Sequence, residues 1–221
     1  MSDWSRRSRE PELLDAQLPD DEVNRSLADI RFVNLYLGGW RSLRRAVLPL
    51  LEGIARPLLL DVGCGSADLP ELLMRERPGL RAVGLDRKLL HLLAAPRGVA
   101  KVAADVRALP FAPGAFDVVT ASLFLHHLDS EDAAMVLRDL FALARRALVV
   151  NVLRRARVPY HFGRLAFPVL FRSAVSVNDG LVSIRRGFTR SELLRIFERA
   201  GVTGVKVRQQ FPYRLVAIAL K

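Results

Sequence analysis

The chain has 221 residues, of which 51% are hydrophobic and 26% are charged, and this balance excludes a disordered or fibrous protein. Its 34 basic and 23 acidic residues give a formal net charge of +11, which favours contact with nucleic acid, anionic lipid or acidic metabolites without selecting among them. The single cysteine, Cys64, allows neither an intramolecular disulfide nor a cysteine-rich zinc site, so we expect a reduced, cytoplasmic protein without a metal.

The N-terminal part of the sequence predicts an arm followed by a helical cap. Residues 1–21 are polar and charged throughout, which predicts a mobile arm and is unlike a signal peptide or a membrane span. Apolar residues recur at helical spacing over 22–37, a glycine pair ends that helix, and a second helix follows over 40–52. Residues 22–56 therefore predict a cap of two helices.

From residue 57 onward, buried strands alternate with helices. We predict strands over 58–62, 81–86, 100–105, 116–121 and 147–153, with helices at 68–77, 88–95 and 131–146 between them. Residues 154–187 break the alternation and predict an insertion over one end of the sheet. A capping box at Thr189 then begins a helix, and 205–209 and 214–220 are closing strands. Residues 57–221 thus predict a doubly wound α/β domain, with a mostly parallel, seven-stranded, Rossmann-like sheet and one antiparallel closing strand.

The first three strands each end in an aspartate: Asp61, Asp86 and Asp105. Ligands of open α/β sheets bind beyond these carboxyl ends. Gly63 and Gly65 let the chain turn tightly after the first strand and come close to a ligand. Asp86 follows Gly65 at about the 20-residue offset at which an acid meets ribose hydroxyls. The expected ligand is therefore a nucleoside.

The charge around the glycine turn indicates which nucleoside. A dinucleotide site would hold pyrophosphate here and have a third glycine at the position where this chain has Asp68. Carboxylates would repel pyrophosphate, but they suit the cationic sulfonium and ammonium groups of S-adenosylmethionine. We therefore expect S-adenosylmethionine as the cofactor and S-adenosylhomocysteine as its product.

Four segments resemble, in order and spacing, motifs I to IV of class I S-adenosylmethionine-dependent methyltransferases. They read LLLDVGCGSADL (58–69), VGLDRK (83–88), AADVRALPF (103–111) and FDVVTASLFLHHL (116–128). The resemblance implies contacts with the methionine part by Asp61, Gly63, Gly65, Ser122 and Leu123, and Cys64 is a further cofactor-binding candidate in the tight loop. The resemblance also implies that Asp86 takes the ribose hydroxyls with Arg87 beside the adenine, and that Asp105 and the amide of Val106 meet the adenine ring. One departure from the family is Ala67, where a third glycine is common and where alanine suits the turn if its φ is negative.

Two histidines, His126 and His127, follow the fourth strand, where an acceptor would meet the activated methyl group. An imidazole with a pKa near 6.5 can remove the proton of a phenol, whose pKa is about 10. His127 is our first candidate for this base and His126 the second. The alternative is that they only cap a helix or support the cofactor loop. His91, on the helix after the ribose acid, is predicted to lie solvated at the surface.

Recognition of the acceptor is expected from the 22–37 helix and the 154–187 insertion. Their aromatic residues suit an apolar pocket or an ordinary core equally well: Tyr36, Trp40, Tyr160, His161, Phe162, Phe167 and Phe171. The whole chain also resembles bacterial methyltransferases of ubiquinone and menaquinone biosynthesis and those found with type III polyketide synthases. That resemblance implies a phenolic, quinone or polyketide-like acceptor from secondary metabolism, methylated on oxygen in preference to carbon.

Two other kinds of function stay open. The positive charge favours an RNA or DNA methyltransferase, although residues 121–124 lack the Asn/Asp-Pro-Pro-aromatic motif of many base methyltransferases and no RNA-binding module is visible. A regulator that binds the cofactor without turnover is the third hypothesis. We expect a small-molecule acceptor, no nucleic acid partner, and a monomer or homodimer.

Overall fold

The computed structural model describes residues 4–221, which fold around one seven-stranded sheet. Its strands are β1 Leu58–Val62, β2 Arg81–Asp86, β3 Ala100–Ala103, β4 Phe116–Ser122, β5 Ala144–Leu153, β6 Lys206–Gln210 and β7 Arg214–Leu220. Their order is β3-β2-β1-β4-β5-β7-β6. β1 to β5 pair in parallel, whereas β7 is antiparallel to both β5 and β6. The predicted fold, including its antiparallel closing strand, is confirmed.

Helices cover both faces of the sheet. They are α1 Asp20–Tyr36, α2 Gly39–Val47, α3 Asp68–Glu76, α4 Leu89–Leu93, α5 Ser130–Leu143, α6 Arg157–Leu170, α7 Ala174–Arg186 and α8 Arg190–Arg199. One apolar core lies between the sheet and α5 and α8, and a second lies between the sheet and α2 and α3. Within residues 4–221, no helix is both long and apolar enough to cross a membrane.

Several boundaries differ from the sequence prediction, and two of these differences have local physical reasons. The helix predicted over 131–146 ends at Leu143, because Ala144 already pairs with Phe116 as the start of β5. The third strand ends at Ala103, because Asp105 turns the chain by accepting a hydrogen bond from the N–H of Arg107. The predicted insertion at 154–187 consists mainly of the two helices α6 and α7.

The N-terminal arm, residues 4–19, packs along α7 and the loop after β4. The N–H groups of Leu13 and Leu14 donate to the carboxylate of Asp179, each at 2.8 Å. Arg7 donates to the carbonyl oxygens of His126 and Leu128, each at 3.0 Å. The sequence predicted a mobile arm over 1–21, whose first three residues lie outside the described part. Residues 4–19 contact the fold through these hydrogen bonds, which a free arm would not do. The mobility of the arm stays a prediction.

Candidate active site

A cavity of about 610 Å³ lies at the carboxyl edge of the sheet. The register brings the strand ends together there, since Val62 at the end of β1 lies beside Leu85 of β2 and Ala121 of β4. The volume is within the usual range of about 300–1,000 Å³ for ligand pockets. Each residue predicted to contact the cofactor lines this cavity: Asp61, Gly63, Cys64, Gly65, Asp86, Arg87, Asp105, Val106, Ser122 and Leu123.

Asp86 ties the glycine turn to the end of β2. One carboxylate oxygen accepts the N–H of Gly65 and the other accepts the N–H of Lys88, both at 2.9 Å. Burial would raise the pKa of Asp86, but these bonds and the nearby imidazole of His91 lower it below the ordinary value. The predicted surface position of His91 is wrong, because this side chain is buried with Nδ1 3.6 Å from Oδ1 of Asp86. Asp86 is therefore a fixed, ionised acceptor at the cavity wall.

The tight turn after β1 uses left-handed backbone at three positions. A Cβ at Gly63, where φ is +63°, would lie 2.3 Å from the ring of Phe124, so only glycine fits. Gly65 has a φ of +55°. Ala67 also adopts a positive φ of 52°, which contradicts the expected negative value and costs about 1–2 kcal/mol for a residue with a Cβ. Its methyl group is fully buried, and that packing holds the strained turn.

Asp61 is buried at the end of β1 with one hydroxyl partner. The Oγ1 of Thr120 donates to its carboxylate at 2.6 Å. Burial raises the pKa of Asp61 to about 7, opposed by the Thr120 bond and reinforced by Asp86. A cation beside Asp61 would favour the ionised form. Asp68, in contrast, is paired with Arg31 at 2.6 Å, so a cation of the protein itself faces that charge.

The loop after β4 is held by the neighbouring strand β5. The Nδ2 of Asn151 donates to the Oγ of Ser122 at 3.0 Å, and the N–H of Leu123 donates to the carbonyl of Asn151 at 2.8 Å. Leu123 has a φ of 52°, a strained conformation of the kind that clusters at functional sites. The bend directs the following residues, including both histidines, along the cavity wall.

Two carboxylates of the N-terminal arm face the two histidines. The Nδ1 of His127 lies 3.0 Å from Oδ2 of Asp15 in a hydrogen bond, and Nε2 of His126 lies 3.1 Å from Oε1 of Glu12. The Nε2 of His127 is 3.7 Å from Oε2 of Glu12, beyond hydrogen-bond distance. Sequence reasoning missed Glu12 and Asp15, because a charged segment without periodicity gives no signal of what it contacts.

These contacts set the ionisation of the cluster. Burial disfavours the charged form of each group, yet the imidazoles lower the pKa of Glu12 to about 2 and that of Asp15 to about 2. The pKa of His127 is raised, since its hydrogen bond to Asp15 and the attraction of both carboxylates outweigh burial and the repulsion of Arg186. Burial and repulsion by His127 lower the pKa of His126. His127 is the imidazole of this pair that favours the proton.

Glu12, His126 and His127 also place one potential ligand atom each within 4.8 Å of one another. Such spacing suits a metal ion, but the carboxylate–imidazole contacts account for it, and the cations Arg7 and Arg186 already contact the carbonyl of His126. The expectation of a site without metal stays a prediction.

The aromatic residues predicted to bind the acceptor divide into two groups. Phe162, Phe167 and Phe171 line the cavity. The others do not belong to the lining formed by residues 4–221: Tyr36 is 71% exposed beside Phe32, Trp40 packs on the core below α2, and Tyr160 contacts Trp4 and His161. Helical periodicity could not separate these two groups, because it indicates which residues share a helix face but not what that face packs against.

Comparison with known proteins identifies the central part of the chain. Residues 60–147 match the model of the methyltransferase domain. The demethylmenaquinone methyltransferase of Thermus thermophilus is 34% identical over 174 residues, an alignment that covers 74% of this chain and 73% of that protein.

Solved structures show the same fold. A candidate O-methyltransferase from Nostoc punctiforme PCC 73102 has a TM-score of 0.67 and 17% identity, and the match covers 97% of this chain and 64% of that longer one. Magnesium protoporphyrin IX methyltransferase from Synechocystis PCC 6803, solved with bound S-adenosylhomocysteine, has a TM-score of 0.59 and 18% identity, covering 91% of this chain and 93% of that one. At such identities these structures support the fold alone.

The ionisation of the arm carboxylates predicts that acid releases the arm. With pKa values of about 2 against ordinary values of 4.5 and 3.8, Glu12 and Asp15 stabilise docking above about pH 4.5, and this contribution is lost as the pH falls toward 2. The variant Trp40→Phe leaves Trp4 as the sole tryptophan, whose emission should shift to the red over this range. Trp4→Phe, which reports on the core through Trp40, is the control and should change at lower pH. A single transition shared by both tryptophans would contradict separate release of the arm.

Proposed function

This chain belongs to the S-adenosylmethionine-dependent methyltransferases, and on that premise we propose that it methylates an oxygen atom of a small, apolar phenol- or quinone-like molecule. The observation that carries the proposal is one cavity bordered by the strand-end carboxylates, by two histidines and by phenylalanines of the insertion. The first group suits the cofactor, the second suits proton removal, and the third suits an apolar acceptor. The Thermus thermophilus relative, a demethylmenaquinone methyltransferase by name, supports a quinone-like acceptor.

The residues at the strand ends fit the cofactor. Its chemistry, when bound, is an electrophilic methyl group on a cationic sulfonium. The unshared electron pairs of the Asp86 carboxylate can accept ribose hydroxyls while its backbone bonds hold it in place. A cation beside Asp61 would lower the pKa of this carboxyl group, which is about 7 without one, and so favour its ionised form. Gly63 leaves the space against Phe124 that a side chain would fill.

His127 is the proposed general base. Asp15 accepts the Nδ1–H of neutral His127, which leaves Nε2 as the atom that takes the proton of the acceptor hydroxyl. Asp15 and Glu12 then stabilise the imidazolium that forms. Such assistance contributes about 10²–10⁴ in rate. His126, buried and with a lowered pKa, is the second candidate.

Apolar side chains complete the proposed acceptor pocket. The phenylalanines of α6 and the loop after it, Phe162, Phe167 and Phe171, lie on the same cavity as Leu27 and Ile30 of α1. This wall would exclude water from the reacting atoms and hold the acceptor in line with the methyl group. Positioning of two reactants of this kind accounts for several kcal/mol of a barrier, on the order of 7 or more in well-oriented cases.

Replacing the ribose acceptor predicts a loss of cofactor affinity. Asp86→Asn keeps the shape of the side chain but removes the charge that strengthens its hydrogen bonds, so binding of S-adenosylhomocysteine should weaken by about tenfold or more. Isothermal titration calorimetry measures the change, with the exposed Glu198→Gln on α8 as the control. Equal affinities in both variants would contradict the assignment of Asp86.

The proposed reaction predicts methyl transfer to small aromatic acceptors. Purified protein supplied with S-adenosylmethionine labelled in its methyl group is incubated with phenols, quinols and, separately, total RNA. Mass spectrometry should find label in a small product as a methyl ether, and the Asp86→Asn variant should form less of it. Label found on ring carbon would overturn the choice of oxygen, and label found only in RNA would overturn the small-molecule acceptor.

The Asp15–His127 pair predicts a shift in the pH dependence of the rate. A base acts when unprotonated, so turnover should rise with pH through the raised pKa of His127. Asp15→Asn removes a group that raises this pKa, and the rising limb should move to lower pH while the plateau falls. Glu10→Gln, on the same arm but paired with Arg185, is the matched control. A lower rate at every pH without a shift would indicate a structural role only.

A further inference from the structure

Arg214, the first residue of β7, is a buried cation with no charged partner among the residues that the structure describes. Its residue exposure is 1%, and its Nε donates to the carbonyl oxygen of Leu37 at 3.1 Å. Neither terminal nitrogen, Nη1 or Nη2, has a hydrogen-bond partner among residues 4–221. Burial lowers the pKa of Arg214 to about 10, so the side chain still carries its charge at neutral pH.

Other buried arginines of this fold are satisfied. Arg155 forms a bidentate pair with the carboxylate of Glu192, at 2.7 and 2.9 Å. Arg186 donates to the carbonyl oxygens of His126 and Glu10. A guanidinium taken out of water without such partners is strongly unfavourable, and buried charges are normally paired. Arg214 is therefore an exception that calls for a partner from outside the described chain.

The cavity provides the place for that partner. Arg214 belongs to its lining, together with Val33, Asn34 and Leu37 of the α1 end and Phe211 to Tyr213 before β7. In the sheet register Arg214 of β7 lies opposite Leu153 of β5. Leu153 is two residues after Asn151, and Asn151 pairs with Ser122 of β4. Since side chains alternate along a strand, Ser122, Asn151 and Arg214 share one face.

The strand order separates Arg214 from the strands that carry the proposed cofactor contacts. The proposed cofactor contacts follow β1, β2, β3 and β4, whereas β7 is two strands beyond β4. At about 4.8 Å between strands, the two are separated by roughly 10 Å. The methionine part of the cofactor, expected beside Asp61 and Ser122, thus lies nearer to other strands than to β7, which carries Arg214.

We propose that Arg214 binds an anionic oxygen group, a carboxylate in particular, on the methyl acceptor. This inference rests on the proposed function and specifies its substrate class as an apolar aromatic acid. A guanidinium matches a carboxylate with two parallel N–H···O bonds, which fixes orientation as well as charge.

The test compares acids with their neutral esters on the protein saturated with S-adenosylhomocysteine. The probes are hydroxybenzoic and hydroxynaphthoic acids, each paired with its methyl ester, and binding is measured by calorimetry. Wild type should bind the acids at least about tenfold more tightly than the esters, and Arg214→Met should lose this difference while keeping its affinity for the esters. Arg214→Lys, which keeps the charge but not the planar pair of donors, should retain part of the preference. Equal affinity for acid and ester in wild type, or no binding of any acid, would overturn the proposal.

Thermal unfolding gives a readout that a structural role would not give. Without a ligand, Arg214→Met removes an uncompensated buried charge and should raise the Tm, and acids should no longer raise it further. A lower Tm together with an unchanged preference for acids would assign Arg214 to folding only and overturn the proposal.

A third measurement distinguishes a carboxylate on the methyl acceptor from the carboxylate of the cofactor's methionine part. Binding of S-adenosylhomocysteine to Arg214→Met should equal that to wild type. If the variant instead loses cofactor affinity, the bound carboxylate is that of the cofactor, and the assignment to the acceptor is wrong. If wild type itself does not bind S-adenosylhomocysteine, the proposed function fails before the role of Arg214 is reached, so the two failures are distinguishable.

Discussion

The parallel register of β1 between β2 and β4 is the constraint on which the site depends. Because Val62 lies beside both Leu85 and Ala121, the residues that follow these strands reach one edge of the sheet together. Their backbone groups have left the sheet ladder and must find other partners. The carboxylate of Asp86 supplies two of these, for the amides of Gly65 and Lys88, so the same group that shapes the turn also lines the cavity.

Groups remote in sequence complete this edge. Glu12 and Asp15 come from the N-terminal arm, and their approach to His126 and His127 brings together residues more than a hundred positions apart. The arm is also fixed from the other side, through Asp179 on α7. Proton affinity at the histidines is therefore a property of the closed arrangement, and a protein with its arm displaced would hold imidazoles of more ordinary basicity.

The sequence carried enough information for the strands and for the cofactor side of the cavity. Strand-end aspartates and paired glycines can be recognised in the sequence, because the glycine turn is a short local motif and the ribose acid follows it at a regular offset of about 20 residues. The buried position of His91, the positive φ of Ala67 and the contacts of Glu12 and Asp15 had no such signature, since each depends on what the folded chain brings alongside. The aromatic residues illustrate the same limit: Phe162 and Tyr160 are two positions apart on α6, yet only Phe162 belongs to the cavity lining that the described residues form.

The antiparallel direction of β7 determines where a tag or linker can be attached without blocking the cavity. Lys221, which follows β7, donates its N–H to the carbonyl of Arg146 near the start of β5, at the edge of the sheet away from the cavity. A fusion partner or a surface linker attached after Lys221 would leave the cavity accessible. A group attached on the N-terminal side of the arm would instead lie on the segment that contacts the two histidines, so the position of a tag affects the chemistry that is measured.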